Sequence, residues 1–231
     1  MNDILIIYSG DEDLKFLEPL VELLIEFLGE KVKLFRLDTT MESHILAQQQ
    51  ILLSHANTLL IIFCHGGSNY VLGNRDIEGL HVNDDHYEFL NSNNIAIVEN
   101  KKIICLSCNS KEGFGDLVAN NNGLGLVGFG DIQFDDPRLL KKKVDPDKQV
   151  QEISKRELVS IFFETIKVSF VKKASLKDFV NYFKLITNKH SDKLILENKG
   201  NLAFIRSANF LWHLKNDISL FGNKEIKLFE N

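Results

Sequence analysis

Cysteine and proline are scarce in this chain of 231 residues, at three each, and tryptophan occurs once. Three cysteines, an odd number in so long a chain, exclude the disulfide framework of a small secreted domain. Cys64, Cys105 and Cys108 all adjoin apolar, strand-like runs rather than loops, so reduced thiols are expected. Two of the three prolines lie in the polar stretch 135–148, leaving the other elements almost uninterrupted. An excess of positive charge is missing too: 27 Lys and Arg stand against 32 Asp and Glu, for a formal net charge of -5. No overall basic field therefore invites nucleic acid or an anionic membrane. No uninterrupted apolar run approaches the ~20 residues of a membrane span, and Asp3 and Asp11 to Asp13 flank the first apolar run where a signal peptide would be free of acid. A cytoplasmic protein is expected. With 44% hydrophobic and 26% charged residues the composition suffices for a sizeable core, and one domain over residues 1–231 is expected.

Strand-like and helix-like patterns alternate along the first 130 residues. DILIIYS (3–9) reads as a strand, and residues 11–29 carry apolar side chains at helical spacing, at Leu14, Leu17, Val21, Leu24, Ile25 and Leu28. KVKLFRL (31–37) alternates as a second strand and residues 41–56 fit a second helix. TLLIIFC (58–64) is apolar on both faces, as a buried parallel strand should be. After a small hairpin predicted in 69–84, Asp84 and Asp85 suit the cap of a helix through Tyr87, Phe89 and Leu90. NKKIICLSC (100–108) is a fourth strand, 112–121 a short helix and GLGLVGFG (123–130) a fifth strand. This order predicts an α/β fold with an open, mostly parallel sheet flanked by helices. Residues 1–131 supply the sheet core and 132–231 a helical and hairpin part packed on it. Beyond a surface loop at 135–148, helices are expected over 150–171 and 175–187, two strands within KLILENKGNLAFI, and an aromatic patch at Phe210 to Trp212. There is no repeat and no flexible linker.

The run FCHGGSN raises a chemical question, because a buried strand ends there in a histidine and two glycines. His65 closes the third strand and Cys108 the fourth. Sequential strands of such a sheet are neighbours, and its ligands bind beyond the C-terminal strand ends. A thiol and an imidazole can therefore face each other across one edge. A thiolate attacks a carbonyl, and the imidazole accepts the thiol proton and protonates the leaving amine. The backbone at Gly66 and Gly67 is open enough to offer an N–H to the oxyanion, and Cys108 offers its own.

The ordered run CHGGSNYVLG, DDHYEFL and NKKIICLSCNS resembles the His-Gly, hairpin, helix, strand and Cys sequence of caspase-like cysteine peptidases. LSCNS is similar to the corresponding block of bacterial CHAT-type members, though one residue shorter, and Leu106 stands where several relatives place an acid. The resemblance covers about residues 57–130. It implies a caspase-like α/β/α sandwich and a cysteine endopeptidase with Cys108 as nucleophile, His65 as general acid and base, and Gly66 and Cys108 at the oxyanion. It further implies a protein or peptide substrate, no cofactor or metal, and a bacterial setting in antiviral defence or cell death with a sensor or regulatory partner. No long linker follows Cys108, so a single-chain enzyme is expected.

Other readings exist for the same residues. A zinc site from Cys64, His65, Cys105 and Cys108 is disfavoured because adjacent strand residues point to opposite faces. The glycines of GLGLVGFG sit within a strand, unlike a dinucleotide fingerprint, and no Gly-x-Ser-x-Gly elbow supports an esterase. His81 and His86 suit a polar cap region better than a metal site. A catalytically silent caspase-like module that binds partners is the alternative function. In a caspase-like fold the strand ends at 9–11, 106–108 and 130–131 frame the pocket for the residue before the scissile bond. Asp131 first and Asp11 second are the candidate acids there, which points to Arg or Lys in the substrate; Asp11 equally suits a helix cap.

Overall fold

The computed structural model describes residues 3–77, 87–134, 147–198 and 200–229. Its strands are β1 (Ile4–Ser9), β2 (Val32–Leu37), β3 (Leu59–Phe63), β4 (Gly66–Gly67), β5 (Tyr70–Leu72), β6 (Glu88–Leu90), β7 (Lys102–Leu106), β8 (Gly125–Phe129) and β9 (Ile218–Gly222). The helices are α1 (Glu18–Leu28), α2 (Met41–Leu53), α3 (Gly113–Asn120), α4 (Lys148–Val171), α5 (Leu176–Glu197) and α6 (Leu202–Asn216). Six strands form one sheet in the order β2-β1-β3-β7-β8-β9, parallel except for the antiparallel β9, while β4, β5 and β6 form a small second sheet. The chain thus has the α/β class and mostly parallel sheet that its pattern of elements predicts.

The period of two along the central strands divides their side chains between two cores. Ile6, Ile61, Phe63, Ile104, Leu106, Val127 and Phe129 face one way and pack with α1, α4, α5 and α6. Leu5, Ile7, Leu60, Ile62, Cys64, Ile103, Cys105 and Leu126 face the other and meet α2, α3 and the small sheet. Both faces being covered, these strands are continuous apolar runs with no polar side to solvent. On the first face a cluster of phenylalanines joins the sheet to the C-terminal helices: Phe162 lies 5.4 Å from Phe63, and Phe183 5.3 Å from Phe129, edge to face. The third of the chain that carries no recognisable motif is therefore one wall of the main core.

Three expectations change. Phe89 and Leu90 belong to β6, paired with β5 rather than to a helix; two buried apolar residues in a row carry no period by which to choose. The start of that predicted helix at Asp84, together with His81, His86 and the loop around Lys141 to Lys143, lies outside the described residues. KLILENKGNLAFI forms no hairpin: α5 runs on to Glu197 and α6 begins at Leu202, its first turn capped by the Asn201 side chain accepting from Ala203 N–H (3.0 Å). Asn and Gly between two apolar runs signal a turn without saying which elements it joins, and Gly200 takes φ +85°, as a helix break favours. Third, β9 is a strand that the sequence pattern does not mark, because ISLFG has only five residues and is separated from α6 by Asp217 alone. The first helix also starts late, with a 3-10 turn at Lys15–Leu17 and Pro19 in the opening turn of α1.

His190 on α5 is clasped between two carboxylates of α4, Glu157 (2.7 Å) and Glu164 (3.2 Å). The hydrogen bond to Glu157 holds its pKa above the ordinary value, against burial. A histidine whose folded pKa is raised adds stability that is complete below its unfolded pKa of ~6.5 and is lost as pH rises through the higher folded value. Thermal melts of the wild type between pH 6 and 9 are expected to show a fall that His190→Gln removes; parallel curves for the two proteins would exclude this ion pair as the cause.

Candidate active site

The parallel register of β3 and β7 builds the site. Their last paired residues are Phe63 and Leu106. Two positions further along each chain stand His65 and Cys108, so the register brings imidazole and thiol to the same level at the C-terminal edge. Both line one pocket of about 300 Å³, together with Cys64, Leu106 and Ser107. The turn that ends β7 is pinned by Ser110, whose buried hydroxyl donates to the carbonyls of Cys105 (2.9 Å) and Ser107 (2.8 Å) and accepts from Phe129 N–H (3.0 Å). Asn109, in the left-handed region at φ 57°, donates its N–H to Gly130 (3.0 Å). These bonds fix Cys108 against the end of β8.

His65 is oriented from the first strand. Its Nε2–H donates to Asp11 Oδ1 (3.1 Å), and Asp11 also accepts from Ser9 Oγ (2.6 Å) and from Leu14 N–H (3.2 Å). Burial alone would raise the Asp11 carboxyl, yet the hydrogen bonds from His65 and Ser9 outweigh it and hold the carboxyl below its usual range. An ionised Asp11 as acceptor places the imidazole proton on Nε2, which leaves the Nδ1 lone pair to take up a proton. Asp11, the second candidate for the substrate pocket, is thus occupied by His65 and caps the turn at Leu14; it does not line the pocket.

Burial pushes the Cys108 thiol up; the Ile132 backbone amide favours the thiolate, and the charge of Asp131 opposes it. The resting group is a thiol, so attack requires a base. Cys64 is raised further by complete burial and Cys105 is pushed up to about 12 by the same cause, which leaves both as core side chains. Asp131, the first candidate for substrate recognition, lies exposed at the end of β8, accepts from the Gln133 side chain and is not among the pocket's lining residues. Partial desolvation of its carboxyl, and the like charges of Asp217 and Glu112, raise its pKa against that hydrogen bond. Among the described residues no three His, Cys, Asp or Glu side chains gather to hold a metal ion, and no helix is long and apolar enough to cross a membrane.

The N–H groups of Gly66 and Cys108, expected at the oxyanion, differ in their backbone surroundings. Leu72 N–H donates to the His65 carbonyl (2.9 Å), which makes that a hydrogen-bonded pair of the antiparallel ladder. The next pair, Gly66 with Val71, is then of the other kind, and Gly66 N–H points away from β5 along the free edge of β4. Cys108 N–H meets no backbone carbonyl among the described residues. The glycine has a steric reason as well: a Cβ on Gly66 would lie 2.0 Å from Ser107 Oγ and 3.2 Å from the Cys108 carbonyl. That Ser107 hydroxyl is buried and without a hydrogen-bond partner among the described residues. No family model and no curated protein matches the chain.

Gly66→Ala is expected to cost about 1–3 kcal/mol through overpacking, and Ser107→Ala in the same chain to recover most of it by removing the nearest atom. Denaturant unfolding of the single and double variants checks this; equal stability of Gly66→Ala and wild type would mean that β4 is free to move away from Ser107.

Proposed function

We propose that the protein is a cysteine endopeptidase of caspase-like type. The observation that carries this reading is the placement of His65 and Cys108 in one pocket, each two residues past the last register pair of adjacent parallel strands, with the imidazole oriented by a buried carboxylate. The thiol proton passes to His65 Nδ1 as sulfur bonds to the substrate carbonyl carbon. The carbonyl oxygen takes the negative charge and is met by Cys108 N–H and Gly66 N–H. The C–N bond then breaks as the imidazolium returns its proton to the leaving amine. Water attacks the thioester with His65 again as base, and the carboxylic acid and free thiol are released. Asp11 stabilises the imidazolium without taking its proton.

The proposed setting, a regulated bacterial protease in defence or cell death with a sensor partner, rests on the resemblance of CHGGSNYVLG and LSCNS alone. The upward shift of the Cys108 thiol favours a second reading, a module that binds peptides in the same pocket without cleaving them.

Cleavage of a peptide library separates the two. Cys108→Ala is expected to abolish cleavage with its melting temperature nearly unchanged, His65→Ala to lower kcat by roughly 10²–10⁴-fold, and Asp11→Asn to lower kcat more than it raises KM. Cleavage by Cys108→Ala equal to wild type rejects the assignment, and binding without cleavage by the wild type supports the module.

A further inference from the structure

The wall of the pocket beyond Cys108 comes from parts of the chain far from either motif. Leu14, Phe16 and Leu17 enter from the turn before α1, Ile132 and Phe134 from the segment after β8, and Gln151, Lys155 and Leu158 from one face of α4 at helical spacing. Six of these eight side chains are apolar. Phe16 and Phe134 meet edge to face with centroids 4.9 Å apart, and Lys155 Nζ lies 5.1 and 5.3 Å from their two centroids. Lys155 is half-buried, and no carboxylate among the described residues lies within ion-pair distance of it. Among the described residues the one acid on the pocket, Asp13, is 69% exposed and paired with Arg75 (3.1 Å), so its charge is offset at the rim. Among the described residues the net charge presented to an occupant is therefore positive, on a cation already held by two ring faces.

From this geometry we infer that the pocket receives an apolar side chain of the substrate, of leucine, methionine or phenylalanine size, and that Lys155 turns away lysine and arginine. The inference rests on the reading of Cys108 as the nucleophile toward a peptide carbonyl. Room is sufficient, since a cavity of ~150 Å³ holds a benzene ring and this one has about twice that volume. A carboxylate would meet one half-exposed ammonium but would be desolvated against six apolar side chains, which disfavours glutamate and aspartate. A guanidinium or ammonium would meet the same apolar walls and a like charge. The expectation from Asp131 and Asp11 of a basic preference is thus replaced by exclusion of basic residues, because neither acid reaches the pocket.

The test uses the full chain and peptidyl chloromethyl ketones that differ only in the side chain beside the reacting carbonyl: leucyl, phenylalanyl, glutamyl and arginyl, with iodoacetamide as a reference. Second-order rates of Cys108 alkylation are read by mass spectrometry. Leucyl and phenylalanyl reagents are expected to react at least ~10-fold faster than the glutamyl and arginyl ones. Lys155→Glu is expected to raise the arginyl rate ~10-fold or more while the iodoacetamide rate stays within ~3-fold. Lys155→Met, which keeps the stem over the rings, is expected to move the arginyl rate in the same direction. Rates independent of the side chain, or fastest for the glutamyl or arginyl reagent, overturn the inference and leave the nucleophile intact. Reaction of iodoacetamide alone, with no peptidyl reagent taken up, overturns both the pocket and the peptidase. Side-chain-dependent alkylation without cleavage of any peptide upholds the pocket and removes the hydrolytic reading.

Discussion

The register between β3 and β7 is the constraint on which the site depends. Each backbone pair from Leu59 with Lys102 to Phe63 with Leu106 is shared between two fully buried strands. A slip of one residue would turn every side chain of one strand to the opposite core. It would set Ile61 and Phe63 against α2 and α3, and Leu60 and Ile62 against the phenylalanine cluster. The packing of ten side chains on two faces thus holds two others, His65 and Cys108, at one level. Neither polar residue contributes to the force that aligns them.

That division of labour explains how the site tolerates awkward electrostatics. Cys108 lies where burial opposes its ionisation, and the charge of Asp131, just past β8, opposes it too. Asp11 is buried, which pushes its carboxyl up, and the hydrogen bonds of His65 and Ser9 hold it below its usual range. Each group is kept in place by neighbours anchored in the sheet: Ser9 is the last residue of β1, and Ser110 ties the turn after Cys108 to β8. The polar groups converge because the strands end together, and their protonation states follow from what the strand ends bury.

Much of the fold was legible because buried parallel strands have an unmistakable composition. LLIIF, KIICL and GLVGF could hardly be anything else in a chain that alternates strand and helix, and His65 and Cys108 mark where two of them stop. The elements that were misread lacked a period: β6 has three residues, β9 five, and the turn between α5 and α6 carries the same Asn and Gly that would close a hairpin. The partner of His65 was named for another task, because a carboxylate 54 positions earlier gives no local sign of what it touches. Lys155 offered even less. On a long amphipathic helix it reads as one solvated lysine among many, and only the packing of α4 against the turn before α1 brings it beside the phenyl rings of Phe16 and Phe134.

The antiparallel β9 joins the sheet to a segment made late in synthesis. Its partner β8 ends at Phe129, and β9 starts at Ile218 after three helices have been completed. While the chain grows from its N-terminus, the strands carrying His65 and Cys108 leave the ribosome well before α4, α5 and α6. Phe63 and Leu106 on those strands, and Val127 and Phe129 on β8, then lack the cover of the C-terminal helices and share their face with α1 alone. The closing of so long a loop carries its entropic cost before any contact of β9 offsets it. The nascent protein therefore passes through an interval in which the edge bearing His65 and Cys108 belongs to a half-sandwich with one apolar face largely open, the stage at which a chaperone has most to bind.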